Sequence, residues 1–239
     1  VTDSPDTAPP RQLALALDQR ESFERDDFLS APANAAALAM IDRWPDWPAR
    51  AIAIVGPEGA GKTHLAAIWA KMARARTVTS REVAVTQVPS QIATGALVVE
   101  DDGKRDEAGL FHLINLAHEE RAHILFTSRT PPATWPVTLP DLASRLRALP
   151  VVTLEAPDEA ILRAVLVKLF ADRQLAVDGS LIDFLMPRIE RSYAGARAAV
   201  IALDREALRR QRPVSRALAG EVLRDQESSE RSQESDVES

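Results

Sequence analysis

The stretch Ala51-Ile52-Ala53-Ile54-Val55-Gly56-Pro57-Glu58-Gly59-Ala60-Gly61-Lys62-Thr63-His64 decides the fold. Residues 56–63 fit G-x-x-x-x-G-K-[ST], the phosphate-binding loop. The five residues before it are an apolar run, as a buried parallel strand requires. After it, Leu65, Ile68, Trp69 and Met72 fall at i, i+3, i+4 and i+7, one face of a helix. The motif therefore sits between a strand and a helix, the context its chemistry needs. Glycines let the backbone curl so that successive N–H groups of Pro57-Glu58-Gly59-Ala60-Gly61 and the residues up to His64 surround phosphate oxygens, proline itself lacking a donor. The helix adds its positive N-terminal end. In this motif Lys62 reaches the β- and γ-phosphates and the Thr63 hydroxyl ligates Mg²⁺. The spacing points to nucleotide binding.

Composition bounds the rest. The chain has 239 residues, 46% hydrophobic, enough for one large domain or two small ones. A net charge of −6 argues against a nucleic-acid surface spread over the whole chain. Arginine outnumbers lysine 25 to 4, a skew that a GC-rich coding bias explains as well as chemistry does. Cysteine is absent, which excludes a disulfide framework and thiolate metal sites. No apolar run is long enough for a membrane helix, and the N-terminus lacks a signal pattern. The expectation is a soluble cytoplasmic protein.

Residues 1–20 read as a flexible arm, polar and proline-containing at first. Within it, Gln12-Leu13-Ala14-Leu15-Ala16-Leu17 alternates, so an extended chain points Leu13, Leu15 and Leu17 one way. Two readings stay open on these residues: an edge strand of the domain, or a docking peptide displayed on the arm. Residues 21–156 read as the nucleotide-binding base. A helix is expected over 30–44. Phe28, Leu29 and Asn34, just ahead of the loop strand, are candidates to wrap a base or to cover the sheet edge. Residues 76–79 suggest a second strand, and 80–94 has no clean period.

Ala96-Leu97-Val98-Val99-Glu100-Asp101-Asp102 is an apolar run feeding acids. A carboxylate at that end of a parallel strand faces the phosphate loop at the switch point of the sheet. Asp101 is expected to hold Mg²⁺ through water beside Thr63, and Asp102 to stand where a carboxylate positions attacking water, with the register open by one residue. His112 and His118 lie on a helix expected over 108–121; their spacing supports no metal site. His123-Ile124-Leu125-Phe126-Thr127-Ser128-Arg129 is a strand with a polar end, where a γ-phosphate can be sensed. Arg145 lies ahead of the last strand, 151–154, where an arginine can reach a neighbouring subunit's nucleotide; an ordinary exposed helix arginine is the alternative.

From Pro157 the pattern turns wholly helical. Asp158 is a good N-cap, followed by the face Ile161, Leu162, Val165, Leu166, Leu169 and Phe170. Further helices are expected over 181–189 and 194–210, and one capped by Ser215. Residues 157–225 read as a small helical lid, with Arg197 placed to reach back to phosphates. Residues 226–239 are a polar tail, expected to be disordered.

The order of phosphate loop, acidic strand end, polar strand end, arginine before the last strand and helical lid resembles the AAA+ ATPases, and within them the DnaA-like group. The resemblance covers residues 28–223 and rests on Leu142-Ala143-Ser144-Arg145-Leu146, Thr127-Ser128 and Tyr193-Ala194-Gly195-Ala196-Arg197, similar to the group's finger, sensor-one and sensor-two segments. Initiators of the group continue past the lid into a helix-turn-helix domain, where this sequence has its polar tail. Together with the leucine peptide, this is similar to the Hda family of regulatory inactivators of DnaA. That resemblance implies an α/β fold, a five-stranded parallel sheet flanked by helices and followed by the lid. It implies bound ADP or ATP with Mg²⁺, ADP preferred, and at most a weak intrinsic ATPase. The implied partners are DnaA, whose ATP hydrolysis Arg145 would stimulate, and the DNA polymerase III β sliding clamp, bound through Gln12, Leu13, Leu15 and Leu17. DNA is then reached only through the loaded clamp, at the nucleoid or replisome, and self-association is compatible. Two alternatives remain: a self-oligomerising ATPase or loader acting on a helicase or DNA, and a DnaA-paralogue scaffold without clamp binding. Arg129 departs from the family, which commonly has an acid there.

Overall fold

Each central strand alternates between two cores. The computed structural model describes residue 25 and residues 28–224; the leucine peptide and the tail lie outside them. Five strands, β1 (Ala51–Val55), β2 (Arg76–Thr79), β3 (Ala96–Glu100), β4 (His123–Ser128) and β5 (Val151–Thr153), form one sheet in the order β2-β3-β4-β1-β5. Every pairing is parallel, with Ala53 opposite Phe126 and Val98 opposite Leu125. This is the sheet expected from the apolar runs.

Because successive side chains point to opposite faces, β1 sends Ala51, Ala53 and Val55 to one side and Ile52 and Ile54 to the other. The first face packs on α4 (Glu107–Glu119) and α5 (Pro140–Arg147) through Leu110, Leu113, Leu142 and Leu146. The second packs on α1 (Ala35–Asp42) and α2 (Lys62–Ala73) through Leu38, Ile41, Leu65, Ile68 and Trp69. Full burial of each such side chain stabilises the fold by roughly 1.5–3 kcal/mol. The unreadable segment after β2 contains a 3₁₀ turn, Ser80–Glu82, and the short helix α3 (Val88–Gln91).

One expectation changes. The first helix starts at Ala35, not Ser30. Asn34 causes this: its Oδ1 accepts from Ala31 N and its Nδ2 donates to the Leu29 carbonyl, so its amide holds residues 29–34 in turns. The last strand is an edge strand, and Val151 and Thr153 are exposed. α1 packs near it, while its opposite face is open.

The lid has a core of its own. α6 (Glu159–Asp172), α7 (Gly179–Leu185), α8 (Tyr193–Arg210) and a helical run over 216–224 enclose Leu162, Leu166, Phe170, Leu185, Val200 and Leu203. Asp158, Asp178 and Ser192 cap α6, α7 and α8 by accepting backbone N–H bonds.

Candidate functional site

The phosphate loop is held from three sides. Leu154 N donates to Val55 O at 2.7 Å and Gly56 N to Ser128 O at 3.2 Å, fixing the loop's start between β4 and β5. Gly59 and Gly61 have φ of +71° and +95°, left-handed values that side chains resist. A Cβ on Gly59 would lie 2.3 Å from that of Ser192, so the lid approaches the loop too closely for any other residue. Tyr193 N, at the start of α8, donates to Gly59 O at 3.1 Å.

Lys62 opens α2 and curls back over the loop, donating to Gly56 O at 2.8 Å and Pro57 O at 2.7 Å. Burial lowers its pKa, the Arg129 charge lowers it further, and Glu58 and Glu100 oppose both. A cavity of about 550 Å³ lies beside it, within the size range of ligand pockets. Glu58, Gly59, Gly61, Lys62, Thr63 and His64 line it from the loop, Glu100, Asp101 and Asp102 from the end of β3 and the turn after it, and Thr127, Ser128 and Arg129 from the end of β4 and the residue after it. Tyr193, Ala194, Arg197 and Ile201 close it from α8.

The three acids are not equivalent. Glu100 shares the strand face of Val98, whose core is that of α2, and its charge acts on Lys62. Asp101 turns to Arg105, whose Nη2 donates to Oδ2 at 2.6 Å while its guanidinium stacks 4.1 Å from the Trp135 ring. Asp102 accepts from Ser80 Oγ at 2.8 Å, from Lys104 N at 3.1 Å and from Arg81. Burial opposes the Asp102 charge, but these hydrogen bonds outweigh it and hold the carboxyl down to about 2.

Other candidates lie around the cavity or apart from it. Phe28, Leu29 and Asn34 do not line it. Phe28 meets His64 edge-on at 5.3 Å between ring centroids, and Asn34 Nδ2 donates to the Tyr193 hydroxyl at 3.3 Å. Phe28 stands by Gly61: a Cβ there would lie 3.3 Å from the Phe28 ring and 3.5 Å from the Tyr193 ring. Pro57 is exposed and Ala60 buried. Arg145 is exposed in the last turn of α5 and is not part of the cavity wall. The leucine peptide lies outside the described residues.

Sequence reasoning quoted Tyr193 and Glu100 within longer segments but gave neither a role of its own. Tyr193 is the chain's single tyrosine and opens the segment that ends in Arg197. Glu100 could be found by counting strand parity from Val98.

The donor set suits a polyphosphate with Mg²⁺: curled backbone N–H groups, an ammonium inside the loop, an exposed Thr63 and nearby carboxylates. Among the described residues no cluster of three or more His, Cys, Asp or Glu could hold a metal alone. No helix among the described residues is long and apolar enough to cross a membrane.

No protein-family model matches the chain. Over 115 residues it is 29% identical to the chromosomal replication initiator protein DnaA of Cutibacterium acnes, covering 48% of this chain and 23% of that protein. The chain thus spans about a quarter of that relative's length. The fold matches domain III of the Thermotoga maritima replication initiation protein DnaA with a TM-score of 0.70 and 20% identity, over 86% of this chain and 97% of that one. It also matches AMPPCP-bound DnaA from Aquifex aeolicus, with a TM-score of 0.59 and 18% identity over 74% and 63% of the two chains. The chain therefore shares the fold of DnaA domain III.

Proposed function

We propose that this protein is an AAA+ regulator of replication initiation that binds an adenine nucleotide, ADP in preference to ATP, and stimulates ATP hydrolysis by DnaA. The observation that carries this reading is the separation of two arginines. Arg197 closes the protein's own cavity, whereas Arg145 is exposed outside it, available to a second molecule's nucleotide. Support comes also from the DnaA likeness and from the AMPPCP held by a protein of the same fold.

In this reading the loop N–H groups and Lys62 bind the phosphates. Thr63 and one strand-end carboxylate, Glu100 or Asp101, hold Mg²⁺, which neutralises phosphate charge when bound. Phe28, Leu29 and Asn34 with Tyr193 border the base. Asp102, saturated by Ser80, Arg81 and Lys104, is poorly free to position water, which fits weak intrinsic turnover. Gln12, Leu13, Leu15 and Leu17 dock on the sliding clamp, and an arginine finger of the Arg145 kind raises rates by about 10³- to 10⁵-fold in other NTPases.

The test has two steps. Calorimetry should find ADP binding in the wild type and its loss in Lys62→Ala, which removes the ammonium from the loop. DnaA-bound ATP should then hydrolyse faster when this protein and DNA-loaded clamp are added together. Binding without stimulation would leave a nucleotide-binding scaffold and refute the regulatory part.

A further inference from the structure

The cavity holds an ion pair that the reading above does not use. Arg129, the residue after β4, donates to the Glu58 carboxylate at the tip of the phosphate loop. Both side chains are open to solvent, 71% and 75% exposed, yet both belong to the cavity wall with Lys62 and Thr63. Arg129 is near enough to depress the Lys62 pKa, after burial the largest influence on it, and Glu58 pushes the other way. One further cation, Arg129, and the paired carboxylate of Glu58 thus stand beside Lys62, the residue that reaches toward the terminal phosphates in such loops, with Glu100 as a second carboxylate acting on it.

We propose that Glu58 competes with the γ-phosphate for Arg129 and thereby sets the preference for a diphosphate. This rests on the cavity being an adenine-nucleotide site. A guanidinium offers the same forked donors to a carboxylate and to a phosphate, so the two anions are alternatives for one cation. A diphosphate leaves the Glu58–Arg129 pair intact. A triphosphate gains Arg129 only by parting it from Glu58, whose negative charge is then left unpaired beside more negative charge. Exposed ion pairs are weak, so the exchange is open to the triphosphate and biases the choice without forbidding it.

The experiment is calorimetric titration of the full chain with ADP and with AMPPCP, each with Mg²⁺. The wild type, Glu58→Gln, Arg129→Gln and the double variant are compared. The quantity read is the ratio of the two affinities in each protein. Glu58→Gln should shift that ratio toward AMPPCP by up to about fivefold, the range of an exposed pair. In the Arg129→Gln background the same change should shift it far less. An equal shift in both backgrounds would mean simple repulsion between Glu58 and phosphate, and overturns the competition. No shift in either, with both nucleotides still bound, overturns it while sparing the cavity reading. If the wild type binds neither nucleotide, the cavity reading fails and this inference with it.

Discussion

His123 shows how one residue ties stability to pH. It begins β4, on the far end of the sheet from the cavity, packed edge-on against Trp44 and Trp47. Arg50 Nη1 lies 3.0 Å from its Nε2. Arginine has no acceptor, so Nε2 must carry the lone pair and the proton sits on Nδ1, toward the Pro45 carbonyl. Burial first, and the Arg50 charge second, lower its pKa below 6.5. The folded protein thus keeps the ring neutral where the unfolded chain takes up a proton. Its contribution to stability is complete above about pH 6.5 and declines as pH falls toward the folded pKa. Carboxylates held down, such as Asp102 at about 2, act in a separate and more acidic window. Thermal melts should therefore show the wild type losing more stability than His123→Gln between about pH 7.5 and 5.5. Equal losses in the two proteins would assign the slope elsewhere.

At the scale of elements, the lid is the sharpest case. α6 to α8 share a core separate from the two that clothe the sheet. α8 carries Tyr193 and Arg197 at its start and Val200 and Leu203 in that core, so packing in the lid aims the residues that close the cavity. Phe170 in α6 is fully buried in the same core. Phe170→Ala should cost about 3–5 kcal/mol, read by urea unfolding. It should also weaken ADP binding in calorimetry, because α8 loses its support. Full ADP affinity in that variant would show that the base alone binds the nucleotide.

At the scale of the whole molecule, the proposed partners meet different parts of the chain. Arg145→Ala should leave ADP binding and clamp binding intact and remove stimulation of DnaA hydrolysis; a variant that stimulates normally would reduce Arg145 to a surface residue. For the arm, ordering a short segment costs roughly 1–2 kcal/mol per residue. Burying each of Leu13, Leu15 and Leu17 returns about 1.5–3 kcal/mol. The balance is narrow, so the isolated peptide should bind the clamp at about micromolar affinity. Several grooves on one ring strengthen binding if the protein self-associates. In a clamp titration, the Gln12→Ala, Leu13→Ala double variant should lose binding while keeping its ADP affinity. Equal binding by both proteins would leave the arm as an edge strand or inert.

The sequence by itself determined the strand–loop–helix unit at Gly56–Thr63, the parallel sheet and the helical lid. Each is written in local spacing: an apolar run, a glycine pattern, a period near 3.6, and these act over a few residues. Only the tertiary structure decided that Asn34 stops the first helix short of Ser30 and that β5 is open on one face. It alone brought Asn34 to Tyr193 across 159 residues and Arg129 to Glu58 across 71. Such contacts carry no period along the chain. They follow from how a folded lid lies against a folded sheet, where side chains with no local relation compete for the same partners.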